Sequence, residues 1–118
     1  MSSGKVDVGK GVELYYEDYG SGDPILIIPG LTCTTEFFEK NLQVLAGENR
    51  VICYDPRSQG RSSISEHGNN FVQRAHDLAT LIEALELDKL IIAGSGCECT
   101  FIALRLARAV QSALSPSI

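Results

Sequence analysis

Two kinds of hydrophobic pattern take turns along the chain. Three short runs are continuously apolar: Ile25-Leu-Ile-Ile28, Val51-Ile-Cys-Tyr54 and Leu90-Ile-Ile-Ala93. Runs of this length without polar alternation suit strands buried on both faces of a parallel sheet. Between and after them, apolar positions recur at helical spacing. Phe38, Leu42 and Leu45 predict a helix at roughly 36–46. Phe71, Ala75, Leu78, Ile82 and Leu85 predict one at roughly 70–87, and Phe101, Leu104 and Ala107 one at roughly 99–110. Ahead of all these, Val6-Asp-Val8 and Val12-Glu-Leu14-Tyr-Tyr16-Glu alternate apolar and polar residues around Gly9-Lys10-Gly11. That is the pattern of a β-hairpin with one wet face.

The order is thus a hairpin followed by strand and helix three times. It predicts an α/β protein: a mainly parallel sheet with an antiparallel hairpin at one edge and right-handed crossovers. The punctuation agrees. Tyr19-Gly-Ser-Gly-Asp-Pro24 is a turn cluster, Pro29-Gly30 stops the first buried run, and Asp55-Pro-Arg-Ser-Gln-Gly-Arg-Ser-Ser63 is a polar loop. Thr34 or Thr35 can cap the first helix, with Glu36 and Glu39 favouring its positive end. Asn69 or Asn70 can cap the second, which Asp88 ends. With no repeat and no boundary, residues 1–118 read as one domain, its core at about 5–110 and a small polar tail at 111–118 that frays.

Composition narrows the function classes. The 118 residues are 44% hydrophobic and 21% charged, a globular balance. A net charge of −5 argues against a nucleic-acid surface, which needs clustered Lys and Arg. No apolar run approaches the ~18 residues of a membrane span, and the start, MSSGKVDVGKG, lacks the apolar core of a signal peptide. The expected compartment is the cytosol, where disulfides are rare. Cys53 lies within a buried run and reads as a small hydrophobe. Cys97-Glu-Cys99 is not a zinc spacing and no second Cys or His pair accompanies it, so neither metal nor cofactor is expected.

The stretch that carries chemistry is KLIIAGSGCECTFIALRLARAV at 89–110. A buried strand meets the small residues Gly94-Ser95-Gly96-Cys97, and a helix follows. Strand, tight turn and helix together form the setting in which a nucleophile is raised above a parallel sheet.

Taken together, the hairpin, the Ile28-Pro29-Gly30-Leu31 exit, the Asp55-Pro-Arg57-Ser-Gln-Gly60-Arg-Ser62 loop and this turn resemble the N-terminal half of an α/β-hydrolase. The subgroup resembled holds esterases, perhydrolases and non-haem haloperoxidases. Pro29-Gly30-Leu31 stands where the family usually has His-Gly-x, and the elbow departs from the usual Gly-x-Ser-x-Gly. Three registers fit. In one, Gly96 holds the nucleophile position and supplies no side chain. In the second, Cys97 is the nucleophile between Ser95 and Cys99, similar to the cysteine elbow of dienelactone hydrolases. In the third, Ser95 is the nucleophile between Ala93 and Cys97.

The resemblance implies an ester or related acyl hydrolase acting on a small-molecule ester, with oxyanion donors on the backbone N–H groups of Leu31 and of Glu98, the residue after Cys97. The acid and His that the family carries after its elbow are absent: no Asp, Glu or His follows Glu98. His67, in the loop before the second helix, is the one upstream base that can be put forward; His76 reads as a surface or packing residue. Asp55 is a candidate acid by position, or fixes its loop through Arg57 or backbone N–H groups. Cys33 reads as structural. The isolated chain is therefore expected to be weak or inactive. The alternatives are a truncated or degenerate non-catalytic domain that serves as a binding or interaction module, self-associating through an uncovered sheet edge, and a pocket that binds without turnover.

Overall fold

The computed structural model describes residues 2–29, 35–87 and 91–94. Its elements are β1 (Ser2–Asp7), β2 (Glu13–Tyr19), β3 (Pro24–Ile28), a 3₁₀ turn (Thr35–Phe38) running into α1 (Glu39–Leu45), β4 (Arg50–Tyr54), α2 (Phe71–Ala84) and β5 (Ile91–Gly94). They form one five-stranded sheet in the order β1-β2-β4-β3-β5. The hairpin pair β1–β2 and the pair β2–β4 are antiparallel; β3 lies parallel to both β4 and β5. The three continuously apolar runs thus form the three parallel strands and the alternating pair the antiparallel edge, but the burial expected of the third run is not found: Ile91 and Ile92 of β5 are exposed at the edge of the described sheet.

The period of two along the strands divides the core. Leu14, Leu26, Ile28, Ile52 and Tyr54 pack on one face against Ala75, Leu78, Leu81 and Ile82 of α2. Ile27, Val51 and Cys53 pack on the other against Leu42 of α1. Burying such side chains is worth about 1.5–3 kcal/mol each, which is what holds the two layers on the sheet. Asn70 caps α2: its side-chain oxygen accepts from the N–H of Gln73 at 2.8 Å.

Three further expectations need correction. The helix predicted from residue 36 begins as a 3₁₀ turn and becomes α-helical only from Glu39. The second helix stops at Ala84 rather than 87, because Glu86 turns left-handed at φ 54° and closes the C-terminus with an N–H to the Glu83 carbonyl. The hairpin's wet face holds for β1 but not for β2, where Tyr15 and Glu17 are buried along with Leu14. The loop after β4 folds back over them. Arg61 places its guanidinium 4.8 Å from the centre of the Tyr15 ring, a cation–π contact. Both Tyr15 and Tyr19 donate their hydroxyls to Glu17, at 2.7 Å each. Burial, and then the hydrogen bond to Glu17, raise the Tyr15 phenol above its ordinary pKa.

Close approach fixes the glycine that ends β2. Gly20, at φ 72°, lets the chain leave β2 against the turn after α1; a Cβ there would run into the Asn49 carbonyl and lie 2.7 Å from that of Ala46.

Candidate active site

The site is organised by strand exits. In the β3–β5 ladder Ile28 stands beside Gly94, and in the β3–β4 ladder Ile27 stands beside Cys53. Three parallel strands therefore release the chain along one edge of the sheet, the edge where such folds gather their chemistry. Leu31, Cys33, Ser95, Gly96, Cys97, Glu98 and Cys99 lie outside the described residues, as does the helix predicted at 99–110. The described part comprises β5 as far as Gly94, β3 as far as Pro29, and the loop after β4.

That loop is built residue by residue from the Asp55-Pro-Arg-Ser-Gln-Gly-Arg-Ser-Ser63 run. Asp55 is 1% exposed. One carboxylate oxygen accepts from the N–H of Thr35 at 2.7 Å and the other from the N–H of Arg61 at 2.9 Å. Of the two structural roles expected of it, holding backbone N–H groups is the one observed. Arg57 has another partner, Asp77 of α2. Nε and Nη2 of Arg57 donate to the two oxygens of Asp77, at 2.9 Å each, with side chains 8% and 2% exposed. This is the paired fork geometry that makes arginine–carboxylate bonds strong. Gln73 donates to Asp77 as well, at 2.9 Å.

Sequence reasoning did not find Asp77. A signal existed: it stands four residues before Leu81, so one helical turn places it with an apolar side chain rather than among solvent-facing ones.

Ser62 and Ser63 continue the ladder of β2 where β4 ends. Ser62 Oγ accepts from the Tyr15 N–H at 2.8 Å and donates to the Asp55 carbonyl. Ser63 Oγ accepts from the Glu13 N–H at 3.0 Å, while its own N–H donates to the Glu13 carbonyl. A β-strand's polar backbone must find partners when buried, and here side-chain oxygens supply them.

His67 lies in this same loop, exposed, and its carbonyl accepts from Nη1 of Arg57 at 3.0 Å. Its backbone is thus held by the Arg57–Asp77 pair. Gly68 next to it, at φ 75°, leaves room for the guanidinium: a Cβ would come within 2.6 Å of Nη1. His76 is exposed on α2 and far in role from this network. Cys53 is buried, and burial pushes its thiol up to about 12, so it is protonated at neutral pH and is a packing residue. Among the described residues no cluster of His, Cys, Asp and Glu could hold a metal ion, and no helix is long and apolar enough to cross a membrane.

Sheet order, strand exits and the aspartate-arginine loop meet in one architecture. The chain belongs to the alpha/beta hydrolase fold family, whose model matches residues 23–113. Its relatives include a Synechocystis protein that carries a non-heme chloroperoxidase name, 38% identical over 84 residues, covering 70% of this chain and 30% of that one. A non-heme haloperoxidase of Rhodococcus erythropolis is 32% identical over 90 residues, covering 75% of this chain and 33% of its own. Among solved structures, the bromoperoxidase of Bacillus anthracis superposes with a TM-score of 0.83 at 29% identity, over 92% of this chain and 40% of that one. A thermophilic esterase from Thermogutta terrifontis follows at 0.81 and 26%, over 94% and 42%. The chain spans about a third of the length of the curated relatives it matches.

Proposed function

We propose that this chain supplies the nucleophile and oxyanion portion of an acyl hydrolase for small-molecule esters. The observation that carries the reading is the pairing of Ile28 with Gly94, which brings the exits of β3 and β5 side by side. A nucleophile in the turn after Gly94 and an N–H after Pro29 then serve one reacting carbonyl. Cys97 is the better nucleophile of the two side chains available. A thiol loses its proton more readily than a hydroxyl and needs less help from a base. Ser95 is the alternative. The backbone N–H groups of Glu98 and Leu31 would receive the developing oxyanion. His67 is the base within this chain, its backbone steadied by Arg57. The relatives' chemistry, peroxidase or esterase by name, belongs to chains of more than twice the length, and the cytosol is the compartment in which a free cysteine nucleophile would stay reduced.

Labelling tests it. Wild-type chain is treated separately with a fluorophosphonate and with iodoacetamide, and the modified residue is located by mass spectrometry. Selective modification at Cys97 or Ser95 supports the reading. Modification spread evenly over the cysteines and serines of the chain refutes it.

A second reading, an interaction module, draws on β5. In the described sheet β5 is an edge strand, with Ile91 63% and Ile92 36% exposed. An apolar edge with free backbone groups is a pairing surface. Concentration-dependent mass by analytical ultracentrifugation, abolished by Ile91→Lys, would favour it.

A further inference from the structure

We propose that β1 is exchanged between two copies of this chain: residues 8–12 are a hinge that opens, and the β1 of each copy takes the place beside β2 in the other. β1 pairs with β2 alone, so it leaves without breaking any other ladder of the described sheet. None of its six residues is buried. Val6, and Val8 just after the strand, pack only partly against the core. What holds β1 is its ladder to β2, and the β1 of a second copy supplies the same ladder.

The hinge holds the difference between the two forms. Gly9, Lys10 and Gly11 lie at φ 110°, 52° and 76°, three left-handed residues in succession. The Val12 N–H donates to the Gly9 carbonyl at 3.0 Å, which closes a turn with Lys10 and Gly11 at its centre. Positive φ at both central residues is the mark of the type I′ turn, whose first central position favours Asn, Asp or Gly. Here that position is a lysine, whose Cβ is crowded by its own backbone at φ 52°. In an opened, extended hinge Lys10 returns to negative φ. Two hinges relax in each dimer, while the pairing of both β1 strands is kept. Opposing this is the freedom lost on association, so the dimer grows with concentration.

The place beside β2 is shaped for β1 in particular. Gly4 stands opposite Tyr16, and a Cβ at position 4 would lie 3.0 Å from the Tyr16 hydroxyl and 3.2 Å from its ring. A slip of two residues would bring Ser2 or Val6, each with a side chain, opposite that ring. Gly4 therefore fixes the register, and the strand that fits without adjustment is the β1 of another copy. β1 itself carries Lys5 and Asp7 exposed, the kind of charged edge that discourages a further strand. The exchange is reciprocal and closes at two copies.

Two substitutions at the hinge test it. Lys10→Pro fixes φ near about −65° and forbids the closed turn, while an extended hinge accepts it. Lys10→Asn installs the Asn-Gly pair that favours the closed turn. By sedimentation equilibrium, the dimer association constant should rise at least ~10-fold over wild type for Lys10→Pro and fall at least ~5-fold for Lys10→Asn. A labelled mixture separates exchange from pairing elsewhere. Isotope-labelled Lys10→Pro chain carrying Asp7→Cys is refolded with unlabelled Lys10→Pro chain carrying Glu13→Cys. Asp7 and Glu13 are exposed register partners, so exchange brings the two new cysteines together. Mild oxidation then links a labelled peptide to an unlabelled one, which mass spectrometry reads. Ile91→Lys, at the opposite edge of the described sheet, should leave this dimer intact. A Lys10→Pro chain that associates no more strongly than wild type overturns the proposal, as does a dimer without the linked peptide, or one that Ile91→Lys dissolves. So does a Lys10→Asn chain that dimerises as strongly as Lys10→Pro. If Lys10→Pro does not fold, Gly11→Val makes the same demand: a Cβ there meets nothing within 4 Å, so φ 76° alone excludes the closed turn. Should that variant also fail to fold, opening the hinge does not lead to a stable dimer and the proposal falls.

Discussion

Asp77→Ala should be among the most damaging single substitutions in the described fold. It removes a carboxylate that accepts from Arg57 twice and from Gln73 once, in a site where neither charged side chain is more than 8% exposed. What remains is a buried guanidinium with two unpartnered donors. Breaking a buried pair in this way costs about 3–5 kcal/mol, a large share of the ~5–15 kcal/mol that holds a domain together. At about 3–5 °C per kcal/mol for a chain of this size, the melting temperature should fall by roughly 10–20 °C. Urea denaturation followed by far-UV circular dichroism measures the loss directly, as a lower midpoint with an unchanged slope. The double variant Arg57→Met with Asp77→Leu should recover most of it, because removing both groups leaves no buried charge stranded. A loss below about 1 kcal/mol for Asp77→Ala, or a double variant no better than the single one, would show that the pair is solvated in solution and that the burial argument is wrong.

Three further outcomes follow from particular groups. Because the Cys53 thiol is raised from 9.0 to about 12 in the fold, the unfolded chain loses that proton first as pH rises; stability should decline between pH 9 and 12, by about 1.4 kcal/mol per unit, and thermal melts of Cys53→Ala should show a flatter decline. Ser62→Ala leaves the buried N–H of Tyr15 without its acceptor, which should cost about 1–3 kcal/mol in chemical denaturation; no change would mean that the ladder beyond β4 is dispensable. The isolated chain should hydrolyse p-nitrophenyl acetate slowly at best, with Cys97→Ser and Ser95→Ala separating the two nucleophile registers and His67→Ala lowering whatever rate exists; stopped-flow turnover near an ordinary ~10 per second would contradict the missing-acid argument.

The parallel strands were readable because burial on both faces leaves no room for polar residues, so Ile25–Ile28 and Val51–Tyr54 announce themselves. The hairpin was readable as a hairpin, yet the burial of Tyr15 and Glu17 was not. Their cover comes from Arg61 and Ser62, more than forty residues away, and no local pattern reports such a partner. For Asp77 the helical spacing from Leu81 was a local signal of burial, but its partner Arg57 lies in a loop without periodicity. Asp55 was legible as a residue of interest by its position at a strand end; that it serves two N–H groups at once is a fact of three segments meeting. Of the elbow expected at 94–97, the strand that leads into it was legible as β5, and the residues after Gly94 lie outside the described ones. Spacing alone leaves Gly96, Cys97 and Ser95 all admissible.

The strand order has a consequence for how the chain comes together. β2 and β3 are separated by only four residues, Gly20 to Asp23, yet β4 lies between them. Until residues 50–54 arrive, the two earlier strands flank a vacant slot about 9–10 Å wide, twice the spacing of paired strands. Each presents an unpaired edge to that slot, and these edges are open to any other chain that offers a strand. The slot is thus filled only after both strands that flank it have been synthesised, so a growing or partly unfolded chain is most exposed to misassembly there, inside what becomes the sheet of the finished fold.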